Sequence, residues 1–406
     1  MAKASRKRGL DVGVATMDIT PPIGVHLNGY HSGPRLGPST SLGHPLRAEA
    51  MVVRGSDRAC WALLSADIIV YPRDMVLRVR DRIAAHTELK AEAVLMAACH
   101  PHSAPTLGHK YDSELDRYDK TFEERIGQVV IDAYGALAPA SLEAALTEAP
   151  DLAHNRRVVQ PDGTVKNEWD DPKGRHTGYY DPSVMLLGVR RPNGELDALV
   201  VNYGCHPVTL GPQSTAISSD YVGYMKDAIE AGGIAGTAIF ALGGAGDINP
   251  RVCIHKGEQY PRQMGEKLAE IVAAAAGGLR KVRSEPVASS LQPFWITTRR
   301  QFKQRDGQRG PVVETEILVT RAGDVGMVSL PGELFSEYVA MMRKASPMPH
   351  TLVVSEANGS LGYFPVDSAL ARKGGIEVDG RVAAGGVEKL FMDTAHKAFT
   401  AVTSAG

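Results

Sequence analysis

Short apolar, β-branched runs alternate with amphipathic helical stretches along almost the whole chain, and this alternation restricts the fold more than any other feature. Strands are expected over Ala48–Arg54, Cys60–Ala66, Ala93–Ala98, Val184–Val189, Leu199–Tyr203, Thr237–Leu242, Glu316–Thr320, Val325–Leu330 and Thr351–Ser355. Helices are expected over Arg73–His86, Lys120–Leu137, Tyr221–Glu230, Gln263–Ala276, Leu334–Lys344 and Val387–Val402, where apolar residues recur three and four positions apart. Such a pattern specifies an α/β protein, with mixed central β-sheet flanked by helices. No linker or internal repeat interrupts it, so residues 1–406 read as one domain, long enough to bury a core without disulfide staples. Residues 1–10, with Lys3, Arg6, Lys7 and Arg8, read as a solvated tail. Three Gly/Pro-rich loops, Pro21–Pro45, Pro101–Tyr118 and Pro150–Tyr180, are longer than simple connections need to be and point to function.

Charge and cysteine usage narrow the partners. Acidic and basic residues are interspersed and the net charge is −1, which denies the chain the concentrated basic face that phosphate backbones require. Gly9-Leu10-Asp11-Val12-Gly13, after the basic cluster, is not the apolar core of a secretory signal, and no apolar run is long enough to span a bilayer. The expectation is a cytoplasmic protein without nucleic-acid or membrane partners, acting on a small molecule, with homo-oligomerisation left open. Cys60, Cys99, Cys205 and Cys253 are far apart and form no CxxC pair, so they read as free thiols. Cys99 and Cys205 each precede a histidine directly and are expected as small buried filler.

The chemistry concentrates just after three strands. The strand at Ala93–Ala98 leads into Cys99-His100-Pro101-His102-Ser103, Leu199–Tyr203 leads into Gly204-Cys205-His206-Pro207, and Val325–Leu330 leads into Pro331-Gly332-Glu333. In α/β sheets, side chains from separate strands converge beyond the carboxyl ends. Two histidines and a glutamate placed there match the His₂Glu donor set of catalytic zinc. Pro101 disfavours the helical region for His100, so the pair is expected in extended backbone, where His100 and His102 address the same side.

Further motifs accompany these. They are Asp18-Ile19-Thr20-Pro21-Pro22, Gly29-Tyr30, Ser65-Ala66-Asp67, Asn155-Arg156-Arg157, Ser219-Asp220-Tyr221-Val222-Gly223-Tyr224, Gly246-Asp247-Ile248-Asn249-Pro250 and Asn358-Gly359-Ser360-Leu361-Gly362-Tyr363. As an ordered set the chain resembles the catalytic N-terminal domain of the neutral/alkaline non-lysosomal ceramidase family. The resemblance implies Zn²⁺ held by His100, His206, Glu333 and Tyr363. It further implies His102 as a proton-transfer or carbonyl-orienting group, and Arg156 or Arg157 against the substrate or its oxyanion. Departures accompany the matches: Asn249 stands where the family has serine, and Ile376, after Gly374-Gly375, where it has tyrosine. Asn249 retains an amide donor; Ile376 retains none. The family's C-terminal immunoglobulin-like domain is also expected to be missing.

The function expected on this basis is zinc-dependent hydrolysis of a C–N amide bond in a small soluble substrate, rather than in ceramide, through a metal-activated water. Ester or lactone hydrolysis at the same site is the close alternative. A non-catalytic binding protein retaining the fold is a second, and a metal-dependent isomerase or lyase a third. Asp67 and Asp247 are candidate supports of the metal-binding imidazoles or simple turn formers. Asp220 reads as a helix cap, and His26, His31, His44 and His109 as loop histidines able to line a cleft.

Overall fold

Three mixed sheets, each carrying one parallel strand pair, meet around a shared apolar centre. The computed structural model describes residues 10–30, 37–108, 113–303 and 309–404. Residues 1–9, His31 and His109 lie outside the described residues, so the tail expected over 1–10 is described only at its last residue, Leu10, which is buried.

The first sheet runs Val94–Ala98, Cys60–Ala66, Arg47–Arg54, Asp11–Asp18, Ala138–Pro139 in spatial order, and its first two strands are parallel. The second runs Thr237–Leu242, Leu196–Tyr203, Ser183–Arg190, Ser141–Glu148, Arg280–Lys281, again with its first pair parallel. The third runs Val287–Lys303, Arg309–Ala322, Val325–Ser329, His350–Val354, and here the last pair is parallel. Parallel strands buried on both faces read as continuous apolar runs, which is why these were legible. Along Arg47–Arg54, Ala48, Ala50 and Val52 face the helices while Met51 and Val53 face the shared centre. That centre takes Leu63 and Leu95 from the first sheet, Leu187, Val200 and Ile239 from the second, and Met327, Leu352 and Val354 from the third.

Helices cover the outer faces. Arg73–His86 and Ser113–Gly135 lie with the first sheet, Asp220–Ala231 and Gln259–Ala276 with the second, and Glu337–Ala345 and Glu388–Ser404 with the third. Glu388–Ser404 shows the rule: Phe391, Ala395, Ala398 and Val402, at three- and four-residue spacing, form its buried stripe. The helix expected from Leu334 starts only at Glu337, because Glu333–Leu334 pairs as a short parallel strand with Tyr363–Phe364. Sequence periodicity also passed over the strands Asp11–Asp18 and Val287–Lys303, whose partly exposed faces carry polar residues. The loop expected over Pro150–Tyr180 contains three short strands, Ala153–Asn155, Arg157–Val159 and Val165–Asn167. No described helix is long and apolar enough to cross a membrane.

A buried ion cluster ties the first sheet to a helix of the second layer. Lys226 Nζ, on Asp220–Ala231, donates to Glu49 Oε1 and to both oxygens of Asp67, each at 2.8 Å. All three side chains are fully buried. Burial pushes the Glu49 carboxyl up to about 7, against the pull of Lys226. Removing one partner of a buried charge cluster strands the others, at a cost of about 3–5 kcal/mol. Lys226→Met is therefore expected to lower unfolding free energy by roughly that amount near neutral pH. The sign of the pH dependence follows from the carboxylates: without Lys226 they bind protons more tightly when folded, which favours the folded state on acidification. The deficit should narrow as pH falls from the alkaline side to about 7, where Glu49 of the wild type takes up its own proton. Denaturant titrations of both proteins across that window check it, and a deficit independent of pH would contradict the ion-cluster account.

Candidate metal centre

Each of the three parallel pairs delivers one side chain to a common point. His100 follows Val94–Ala98, His206 follows Leu196–Tyr203, and Glu333 comes shortly after Val325–Ser329. Cross-sheet hydrogen bonds hold these strand ends together. Asn202 Nδ2 donates to Ala241 O (2.8 Å) and to Val353 O (2.9 Å), the Ser355 amide donates to Leu242 O (2.8 Å), and the Asn358 amide donates to Met96 O (2.8 Å). The Asn358 side chain adds a clasp, accepting from the Met96 amide and donating to Ser329 Oγ.

His100 Nε2 lies 3.7 Å and His206 Nε2 3.0 Å from Glu333 Oε2, and His102 Nε2 lies 3.3 Å from His100 Nε2. The ligating atoms of His100, His102 and His206 all fall within 4.8 Å of one another. On their outer sides, His100 Nδ1 bonds the Ile69 carbonyl at 2.7 Å and His206 Nδ1 bonds that of Ala245. A carbonyl only accepts, so Nδ1 carries the proton of each neutral ring and Nε2 presents a bare lone pair inward. Two imidazole lone pairs and a carboxylate then face one another. A cation relieves that arrangement, and carbonyl-oriented imidazoles are how proteins prepare metal ligands. The residues present fit a divalent metal of the zinc class.

The electrostatics agree. Burial, followed by the charge of Arg156, pushes His206 down to about 4, which leaves it neutral and able to coordinate. Burial opposes charge on Glu333, but its contacts with His100 and His206 outweigh it and hold the carboxyl well below the usual range. His100 moves up despite burial, through its contact with Glu333 and then the charges of Glu356 and Glu333. His102 lies well below the ordinary imidazole value, by burial and then by the neighbouring His100 and His206.

Tyr363 is tied to Glu333 through backbone register. It pairs directly with Glu333, and its Oη lies 3.2 Å from Arg156 Nη2. Arg156 sits between the Tyr363 and Trp169 rings, 5.6 and 5.2 Å from their centroids. Its other donors reach Glu377 Oε1 (2.8 Å), Asn249 Oδ1 (3.0 Å) and Gly246 O (2.7 Å). Arg157 instead bonds Glu377 Oε2 and lies over Phe335. Of the two arginines, Arg156 is the one that touches a residue of the centre.

Several sequence expectations change here. His100 is not extended: its φ is +71°, a strained left-handed value, fixed by its amide bonding Ile68 O and its ring bonding Ile69 O. His102 comes alongside through this turn, anchored by its own amide on Pro207 O. Asn249, expected as a donor towards substrate, is fully buried, and its amide donates to Trp169 O and Cys253 Sγ while its oxygen accepts from Arg156. Asp67 serves Lys226 and the Arg47 amide, and Asp247 serves Asn155 and the Ser336 amide; neither bonds an imidazole. Asp220, at φ +54°, accepts the Tyr221 amide at the start of the helix, and its carboxylate also holds Thr209 and Leu210 in the loop after His206. His44 is turned to Ser219 and Asp227. Cys99 and Cys205 are fully buried free thiols, as expected of filler.

Two glutamates that sequence reasoning passed over complete the surroundings. Glu377 pairs with both arginines, and Glu356 stands close enough to influence His100 and Glu333. The only sequence signal for Glu356 was a charged residue at the end of the apolar run Thr351–Val354.

The neutral/alkaline non-lysosomal ceramidase N-terminal family model matches residues 10–274, about two-thirds of the chain. The chain belongs to that family. Family membership assigns it to the hydrolases. The fold of the family extends over the rest of the chain. A solved structure described as a ceramidase complexed with C2 superposes with TM-score 0.79 at 17% identity, over 96% of this chain and 75% of that one. The neutral ceramidase of Pseudomonas aeruginosa superposes with TM-score 0.77 at 18% identity, over 96% and 74%. No curated protein matches the chain significantly in sequence. The family's mixed sheets and flanking helices are those described above.

The Gly29-Tyr30 motif acquires a steric reason. Gly29 has φ +94°, and a Cβ there would fall 2.4 Å from His102 Cγ, while the Tyr30 ring meets the His102 ring edge-on at 5.0 Å. Gly24 has φ +109° with nothing near its Cβ position. Both alanine variants carry the left-handed backbone cost, about 1–2 kcal/mol, and Gly29→Ala adds a collision. Gly29→Ala is expected to be the more destabilising in denaturant titrations. Equal losses would mean that His102 moves aside freely.

Proposed function

We propose that this chain is a zinc-dependent hydrolase that cleaves a C–N amide bond in a small soluble substrate. The observation that carries the reading is the inward-facing pair of bare imidazole nitrogens on Glu333, with Nδ1 of each ring committed to a carbonyl. His100, His206, Glu333 and Tyr363 would hold the ion. When bound, such an ion polarises a carbonyl and activates a water.

The remaining steps belong to the chain's own side chains. His102, kept neutral by its buried surroundings, is placed to accept a proton from the attacking water and pass it to the departing amine nitrogen. Arg156 holds the Tyr363 hydroxyl, and Glu377 and Asn249 fix its plane, so one permanently charged group stays aimed at the centre. A small substrate in place of ceramide is supported by the two positions where the family's serine and tyrosine are replaced. The Asn249 amide is already engaged, and Ile376 has no donor. The free state of all four cysteines supports a reducing compartment, the cytoplasm.

Metal analysis of purified wild type, His100→Ala and Glu333→Ala is the first test. Wild type is expected to contain close to one zinc per chain, and each variant to lose most of it. Equal, negligible metal in all three would overturn the reading. His102→Ala is expected to retain metal while turnover of a matched amide falls by roughly 10²–10⁴-fold; loss of metal would make His102 a ligand. Matched amide, ester and lactone substrates then separate the reaction classes, and turnover of esters without amides would displace the amidase assignment.

A further inference from the structure

The carboxylate of Glu356 is built into the wall of the centre at evident cost. Its backbone is wedged between two segments that carry proposed ligands: the Glu356 amide donates to Gly332 O, and its carbonyl accepts from the Ala98 amide. This holds the residue at φ +47°, a conformation that a glutamate adopts only under constraint. The side chain is 1% exposed. Oε1 accepts from Ser360 Oγ at 3.1 Å, while Oε2 is buried without a hydrogen-bond partner. Leaving a buried acceptor unsatisfied is disfavoured, more so when it is charged. An isolated fold has no use for such a group, and an apolar residue would serve there better.

Charge around the centre suggests what satisfies it. Arg156 and Arg157 share the single carboxylate of Glu377, leaving one positive charge over. A divalent ion with two neutral imidazoles and Glu333 leaves another. We infer that Glu356 is the charge partner of the metal centre, a second carboxylate that offsets the ion's remaining charge from outside the ligand set. Its Oε1 is engaged by Ser360 Oγ, so the part inferred for it is to hold the ion electrostatically rather than to coordinate it. This inference rests on the metal reading above.

Two variants test it, Glu356→Gln, which keeps shape and removes charge, and Glu356→Met, which removes all polarity. The readouts are zinc affinity by competition with a chromogenic chelator at fixed pH and the melting temperature of the metal-stripped protein. Both variants are expected to bind zinc more weakly by on the order of tenfold or more, as for other groups just beyond a ligand shell. The metal-stripped Glu356→Met protein is expected to melt no lower than stripped wild type. Unchanged affinity in both variants would overturn the inference, as would a lower stripped melting temperature in both with affinity intact, which marks a purely structural residue. Wild type and His100→Ala run beside them separate the two failures. A wild type that binds no zinc ends the metal reading itself, whereas tight wild-type binding shared by both Glu356 variants ends only the role of Glu356.

Discussion

The structure depends on a constraint at the carboxyl ends of three parallel strand pairs, which must meet edge to edge with their backbone groups satisfied. Side-chain amides and single backbone bonds do this work: Asn202 bridges Ala241 and Val353, and Asn358 bridges Met96 and Ser329. Buried backbone groups left without partners are costly. The asparagines that satisfy them therefore also set the relative positions of the sheets, and hence of the residues that follow each strand. The shared apolar centre makes the association favourable, but it is non-directional; the polar clasps supply the direction.

From that convergence the site follows. The chain turns sharply after Ala98, placing His100 at a left-handed φ, and the same crowding puts Glu356 at one. Such strained residues persist only where the surroundings over-determine them, and they gather at functional sites. Here the surroundings are carbonyls of neighbouring loops, which take up the outer nitrogens of His100 and His206 and leave their inner nitrogens bare. An ion bound there would have little to rearrange.

Beyond His100, His206 and Glu333, the structure carries a set of buried ion clusters. Arg156 and Arg157 flank Glu377, Arg73 and Arg80 flank Glu316 beneath the Asn358 turn, and Lys226 joins Glu49 to Asp67. Each cluster links elements from different layers, so each fixes geometry that apolar packing alone leaves loose. The departures from the family pattern fall within the first of these networks, where Asn249 supports Arg156 instead of facing the cleft.

By itself, the sequence determined the α/β class and the strands that become parallel and buried, because continuous apolar runs and three- and four-residue periodicity are local properties. It also marked His100, His206 and Glu333, because each stands just beyond such a strand, and Tyr363 through the ordered motifs that it ends. Tertiary structure alone decided that Arg156 and not Arg157 meets the centre, that Asn249 is already engaged, and that Glu356 and Glu377 border the site. Those outcomes turn on which carbonyl, carboxylate or ring lies across from each side chain. Partners contributed by other sheets are set by register and cross-sheet hydrogen bonds, and no pattern within one segment encodes them.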